Sequence, residues 1–123
     1  MRNDKPTANW DDVGTIALTL PEVTAGQAHE GSPTYHVAGR QFARLRHDEN
    51  RQILHFWVAD LGAKQALMES EPSTFWTVRA FATHSSLWAW LDRLDRGELR
   101  ELLVESWQAR APKRLAKSHP DLR

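Results

Sequence analysis

Two alternating strand patterns, PTYHV and RQFARLR, are separated by only two residues, Ala38 and Gly39. A connection this short is typical of a β-hairpin, and the glycine supplies a positive φ without steric cost. The polar run HDENRQ then leads into a third strand pattern, ILHFWV. Strands joined by such short turns pair antiparallel, so this stretch predicts an antiparallel sheet.

Helix patterns stand before and after these strands. Asn9 can cap a helix over NWDDVGTIALTLP, in which Pro21 is the stop signal. Asp60 can cap LGAKQALMES, and Pro72 ends that helix. Two further strand patterns follow, STFWTV and SLWAWLDRL.

The last helix has the clearest pattern. Asp95 and Glu98 form a capping-box-like pair, and Pro112 closes the helix. Its apolar stripe consists of Leu99, Leu102, Leu103, Ser106 and Trp107. The predicted order is α-β-β-β-α-β-β-α. It indicates an α+β two-layer sandwich with a mostly antiparallel sheet and helices on one face.

The chain of 123 residues predicts one domain over residues 9–117, with a disordered tail at 1–8 and a flexible tail at 118–123. No apolar run is long enough to span a membrane, and the N-terminus lacks the apolar segment of a signal peptide. We therefore expect a cytoplasmic protein with no membrane partner.

Signals of catalysis are missing from the sequence. It contains no cysteine, no Gly-rich phosphate loop and no serine in a nucleophile elbow. Six histidines are scattered without ligand spacing: His29, His36, His47, His55, His84 and His119. We expect a non-enzymatic protein with no catalytic residues, no metal site and no cofactor.

Positive charge is concentrated at the C-terminus. Residues 106–123 carry five Lys/Arg and one acid, whereas residues 1–105 carry 11 Lys/Arg and 15 acids, which gives a net charge of zero. Lys113, Arg114 and Lys117 could contact nucleic-acid phosphates. Alternatively, these cations complement the end of the last helix, and Leu115 packs back onto the domain.

The first hairpin allows two interpretations. Regular alternation would place Tyr35, Val37, Arg40, Phe42, Arg44 and Arg46 on one face. In the first interpretation this face binds nucleic acid, with rings on bases and guanidinium groups on phosphates. In the second, the apolar residues face the core, and Arg40 and Arg46 reach water from the strand ends. Arg44 distinguishes the two, because a mid-strand arginine is costly to bury unpaired.

Trp88 and Trp90 would lie on one face of the fifth predicted strand, opposite Leu87, Ala89 and Leu91. On the open side of a sheet, two tryptophans would form an interaction patch for a homodimer or a ligand. On the other side they would be core.

The segments WDDVGTIALTLPEV, GSPTYHVAGRQFARL, SEPSTFW and ELRELLVESWQARAPKRLA together resemble the MmcQ/YjbR-like family over about residues 10–117. The resemblance implies a two-layer α/β sandwich similar to secretion-chaperone-like folds. It also implies DNA binding through a double-wing arrangement of hairpins, and it brings no catalytic set.

We therefore expect a small cytoplasmic binding domain that contacts DNA weakly and in a salt-sensitive manner. The contact residues would be Arg40, Arg44, Arg46, Lys113, Arg114 and Lys117. The alternative is a protein-interaction or chaperone-like module that forms a homodimer through the face of Trp88 and Trp90.

Overall fold

A computed structural model describes residues 7–120 and 122. Six strands form one sheet in the order β1-β2-β3-β4-β6-β5, and every neighbouring pair is antiparallel. The strands are β1 (Val23–Gln27), β2 (Pro33–Val37), β3 (Arg40–Asp48), β4 (Arg51–Trp57), β5 (Phe75–Trp76) and β6 (Ser86–Trp90). The helices are α1 (Trp10–Ala17), α2 (Leu61–Ser70), α3 (Arg96–Arg110) and α4 (Lys113–Lys117).

This architecture confirms the predicted α+β class and the order of its elements. The structure adds a first strand, β1, and a short last helix, α4. The sequence VTAGQ lacks a strong apolar alternation, and β1 is a largely exposed edge strand that pairs only with β2. Pairing with its neighbour, rather than its own pattern, makes it a strand.

The caps predicted from sequence form as expected. Asn9 with Asp12, and Asp95 with Glu98, make reciprocal capping boxes at the starts of α1 and α3. Asp60 accepts a hydrogen bond from the backbone N–H of Ala63 at the start of α2. Each cap satisfies backbone N–H groups that the first helical turn leaves unpaired.

The core lies between the sheet and helices α1 and α3. Each member of the predicted α3 stripe is buried, and Trp107 also donates from Nε1 to the backbone oxygen of Pro21. Gly14 permits a close approach to the sheet, because a Cβ there would stand 2.5 Å from the Tyr35 hydroxyl. The core residues come from both layers: Val13, Ala17, Val37, Phe42, Leu54, Phe56, Leu87, Ala89, Leu99, Leu103 and Trp107.

The two-residue hairpin turn is confirmed, since Ala38 and Gly39 have φ values of 50° and 78° and Val37 pairs with Arg40. The regular alternation expected beyond it is wrong. The register shifts between Tyr35 and His36, so that Tyr35 pairs with Ala43 rather than Phe42. A β-bulge of this kind inserts one extra residue and moves every later side chain to the other face.

The bulge divides the six residues expected on one face. Tyr35, Val37 and Phe42 pack on the core side, as the second interpretation expects. Arg44 and Arg46 lie beyond the bulge, on the face turned away from the core. Their separation from the aromatic residues of the hairpin could not be read from spacing, because a bulge leaves no alternation signal.

Residues near both limits of the described range pack against the domain. Residues 1–6 of the predicted N-terminal tail lie outside them, but Ala8 is buried and donates its N–H to the Leu94 oxygen. At the other end, His119 packs edge-on against Trp107 at 6.1 Å, and Leu122 contacts the core. Ala8, His119 and Leu122 therefore each contact the rest of the domain.

Across residues 7–120 and 122, no helix combines the length and the apolar character that crossing a bilayer requires. The same residues contain no cluster of three His, Asp or Glu side chains that could hold a metal ion.

Candidate nucleic-acid interface

The sheet face turned away from α1 and α3, here called the open face, carries a dense group of rings and cations. Two cross-strand rows build it. The first row runs Arg44, His55, Trp88 and Trp76, and the second runs Arg46, Ile53 and Trp90. Cross-strand neighbours point to the same side of a sheet, so these seven side chains share one surface.

Arg44 is nearly buried, with 14% of its side chain exposed, and it forms an ion pair with Glu30 from the β1–β2 loop. Its Nε is buried without a hydrogen-bond partner, and burial lowers the pKa of its guanidinium. This pair resolves the question that Arg44 raised in the sequence. The charge is compensated locally and supports the sheet, so Arg44 is a secondary contact at most.

Arg46 has a different environment. Its guanidinium carbon lies 4.7 Å from the ring centre of Trp88 and 5.6 Å from that of Phe81, and its Nε donates to Nδ1 of His55 at 3.3 Å. The residues described offer it no carboxylate and give its two terminal nitrogens no hydrogen bond. Burial, and then the nearby charge of Arg44, lower its pKa. Arg46 therefore presents an uncompensated charge on an aromatic support.

His55 is buried at the centre of the open face, with 2% of its surface exposed. Its Nδ1 accepts from Arg46, so its Nε2 carries the proton and donates to the Ser86 hydroxyl at 3.0 Å. Burial, and then the charges of Arg46, Arg44, Lys64 and His84 in that order, together lower its pKa to about 3. The ring is therefore neutral at physiological pH and orients Arg46 without adding charge.

Lys64 holds the segment that borders the open face. It projects from α2, is 2% exposed, and donates from Nζ to the backbone oxygens of Phe81 and His84, both at 2.7 Å. Burial lowers its pKa. These bonds fix the loop before β6, which places the Phe81 ring 5.2 Å from His55 and beside Arg46.

A second stacked set occupies the other end of the open face. Arg51 lies 3.7 Å above the ring centre of Trp90, and Trp76 packs against the same ring at 4.4 Å. Asp92 accepts two hydrogen bonds from Arg51, at 2.9 and 2.7 Å. This bidentate pair fixes the plane of the guanidinium and neutralises its charge.

The positions of Trp88 and Trp90 agree with the predicted alternation, because Leu87, Ala89 and Leu91 are fully buried in the core. Both tryptophans lie on the open face and are half-buried. Trp88 Nε1 is buried without a hydrogen-bond partner. The two rings therefore lie outside the core, and each is partly covered by the arginine that it supports.

The predicted tail residues lie on a different part of the surface. Lys113, Arg114 and Lys117 are exposed on α4, whose Leu115 is buried in the core. Leu115 packs as the helix-ending interpretation expects, whereas the function of the three cations stays a prediction. Arg40 is also exposed, and it donates to the backbone oxygen of Arg110 on α3.

Arg110 connects these two surfaces. It extends from the end of α3, donates from Nε to the Gln41 oxygen at 2.8 Å, and lies 4.8 Å from the ring centre of Trp57. Trp57 in turn stacks on His55 at 4.6 Å. A path of rings and cations therefore runs from Arg46 past His55 and Trp57 to Arg110 and Arg40, here called the basic path, and α4 follows α3 directly in the chain after Pro112.

Several residues of this surface were not predicted as contacts from the sequence: Trp57, Lys64, Trp76, Arg51 and Arg110. Trp57 and Trp76 stand in strand patterns that predicted the strands but not their faces. The alternation of β4 does carry one signal, since Arg51, Ile53, His55 and Trp57 occupy every second position. For Lys64 and Arg110, only the packing of α2 and α3 brings them to the sheet.

Comparisons with known proteins agree with this fold. The sequence model of the YjbR family matches residues 18–109. Uncharacterised proteins Rv2570 of Mycobacterium tuberculosis (strain H37Rv) and Mb2600 of Mycobacterium bovis are each 30% identical over 127 residues, which covers 90% of this chain and 95% of theirs.

A solved structure extends the comparison to the fold. The crystal structure of Deinococcus radiodurans protein DR2400, which carries a DUF419 domain, superposes with a TM-score of 0.76 at 18% identity. The match covers 98% of this chain and 91% of that one. At this identity the likeness shows a shared fold and nothing about function.

Proposed function

The chain belongs to the YjbR family, and from that premise we propose that it is a small, non-enzymatic cytoplasmic domain that binds nucleic acid through the open face. The observation that carries the proposal is the environment of Arg46. Its charge has no acidic partner among the residues described, and two rings and a neutral histidine hold it in place. An oriented, uncompensated guanidinium suits a phosphate.

The basic path extends this contact beyond one residue. Arg110 lies over Trp57 and Arg40 bonds to the Arg110 oxygen, so a flexible ligand on the open face could follow these cations towards α4, which comes next in the chain. The β3–β4 hairpin, which carries Arg46, would serve as one wing of the arrangement that the family resemblance implies. The chain as a whole is neutral. A small number of phosphate contacts therefore gives weak binding that declines steeply with salt.

Fluorescence anisotropy of labelled DNA, titrated at low and near-physiological salt, tests the proposal. We expect micromolar binding at low salt, and we expect Arg46→Gln to reduce the slope of log K against log salt by about 0.7–0.9, the value of one lost phosphate contact. Arg100→Gln is a matched control, because Arg100 is exposed on α3 away from the open face. Absence of binding at low salt would refute the proposal.

The contribution of α4 has its own test. We expect the triple variant Lys113→Gln, Arg114→Gln and Lys117→Gln to weaken DNA binding and to reduce the salt slope by about 2–3. Its melting temperature should hardly change, because the three side chains are exposed and Leu115 is retained. If affinity and slope match those of the unmodified protein, these cations only complete the helix end.

A second candidate function is self-association through the open face. Trp76, Trp88 and Trp90 form a half-buried aromatic surface that a second copy could cover. A symmetric dimer would bury the rings of both copies. Sedimentation velocity over a range of concentrations tests it. This function is supported if the unmodified protein forms dimers and the folded Trp90→Ser variant does not. A monomer at every concentration would oppose it.

A further inference from the structure

We infer that the nucleic acid bound by the open face is single-stranded, with neighbouring bases stacked on the guanidinium groups of Arg51 and Arg46. This inference rests on the proposed function and specifies its ligand. It follows from three features of the open face: the aromatic rings that support each guanidinium, the uncompensated charge of Arg46, and the spacing of the two arginine–tryptophan stacks. Sheets that bind single strands offer base-stacking platforms of aromatic rings or arginine planes in this way.

Arg51 provides a fixed plane. Its two hydrogen bonds to Asp92 hold the guanidinium, and Trp90 supports it from below at 3.7 Å. The side chain remains 45% exposed, so its outer surface is accessible. Because Asp92 already balances its charge, Arg51 offers a stacking surface rather than a phosphate contact. A base can stack on a guanidinium plane as it does on a ring.

Arg46 provides a second platform that also carries charge. Trp88 and Phe81 support its guanidinium, and no carboxylate among residues 7–120 or 122 neutralises it. Acidic residues on this face act on other arginines: Glu30 pairs with Arg44, Asp92 pairs with Arg51, and Asp48 lies opposite Arg51 at the end of β3. The charge that acts on Arg46 is that of Arg44, which is also positive, so the surroundings of Arg46 complement a phosphodiester backbone.

The spacing of the stacks favours a single strand over a duplex. Trp88 and Trp90 are two residues apart on β6, so the Cα atoms that carry the two stacks lie about 6.5–7 Å apart along the strand. That distance is roughly twice the 3.4 Å repeat of one strand of duplex DNA. A duplex also presents only base edges in its grooves, so it offers no base face to stack on two guanidinium planes. Splayed bases of an extended single strand match both features.

The substitution Arg51→Lys separates stacking from charge. Lysine keeps the positive charge but has no plane, so we expect binding of a roughly 16-nucleotide oligothymidylate to weaken at least about fivefold with an unchanged salt slope. We expect Arg51→Lys to weaken the binding of oligouridylate of the same length by a similar factor, because stacking involves the base and not the 2′-hydroxyl. Arg100→Lys, on exposed α3 surface, is the matched control and should leave affinity unchanged. Arg46→Lys repeats the test at the second platform.

Comparing ligands keeps this inference separate from the proposed function. We expect the unmodified protein to bind the single strands several-fold more tightly than a duplex of equal length, and more tightly than inorganic polyphosphate. Duplex bound as well as or better than single strands would overturn the inference and leave the proposed function standing. If polyphosphate bound as tightly as the single strands, or if Arg51→Lys left the affinity unchanged, the site would recognise charge alone. The inference of base stacking would then be wrong. Binding of none of these ligands would refute both.

Discussion

Replacing Ser106 with alanine is expected to lower the free energy of unfolding by about 2–4 kcal/mol, because two backbone groups would lose their partner. The Ser106 hydroxyl donates to the Phe42 oxygen at 2.6 Å and accepts from the Trp57 N–H at 2.9 Å. The regular β3–β4 pairing ends one step away, at Ala43 and Phe56. The hydroxyl therefore takes the place of a direct bond between β3 and β4 just past the last pair of that ladder, at Phe42, where the β2–β3 register shifts.

Equilibrium denaturation of the variant measures this loss. Ser118→Ala is a suitable control, since its exposed hydroxyl bonds only to Arg114 in its own turn, and it should change stability by less than about 0.5 kcal/mol. If Ser106→Ala lost as little stability as Ser118→Ala, the backbone groups of Phe42 and Trp57 would have found other partners. Because Trp57 and Arg110 meet at this point, the variant should also weaken nucleic-acid binding more than Ser118→Ala does.

Local signals account for what the sequence predicted well. Caps at Asn9, Asp60 and Asp95 depend on a few adjacent residues, and so does the turn at Ala38 and Gly39. The stripe of α3 follows from helical periodicity, which burial then confirms. The family resemblance drew on the same features, and it is confirmed over residues 18–109. These elements need no knowledge of distant contacts.

The composition of the open face could not be read in the same way. Regular alternation places Arg44 and Arg46 beside Tyr35 and Phe42, and a single bulged residue reverses that arrangement. One residue did signal an irregularity in the sheet: Ser106 is a polar residue in the apolar stripe of α3, and its hydroxyl donates to the oxygen of Phe42, where the β2–β3 register shifts. Likewise, the supports of Arg46 come from β4, β6 and the loop before β6, which only tertiary packing unites.

The stability of the protein should fall in mild acid because of His55. Its pKa is about 3 in the folded protein against 6.5 for an ordinary histidine, since burial and then Arg46, Arg44, Lys64 and His84 oppose a second proton. Between these two values the unfolded chain binds a proton that the folded chain does not. Stability is therefore highest above pH 6.5 and declines as the pH falls towards 3, by up to about 1.4 kcal/mol per pH unit.

Denaturation of His55→Gln beside the unmodified protein isolates this effect from the other histidines. Glutamine can accept from Arg46 and donate to Ser86, as the ring does, but it cannot bind a proton. Between about pH 7.5 and 5 we expect the unmodified protein to lose roughly 2 kcal/mol more than the variant. Parallel pH profiles would mean that the His55 ring accepts a proton in the folded state. In mild acid Arg46 would then lose the acceptor that orients it, and the neutral support on which the nucleic-acid proposal depends would be absent there.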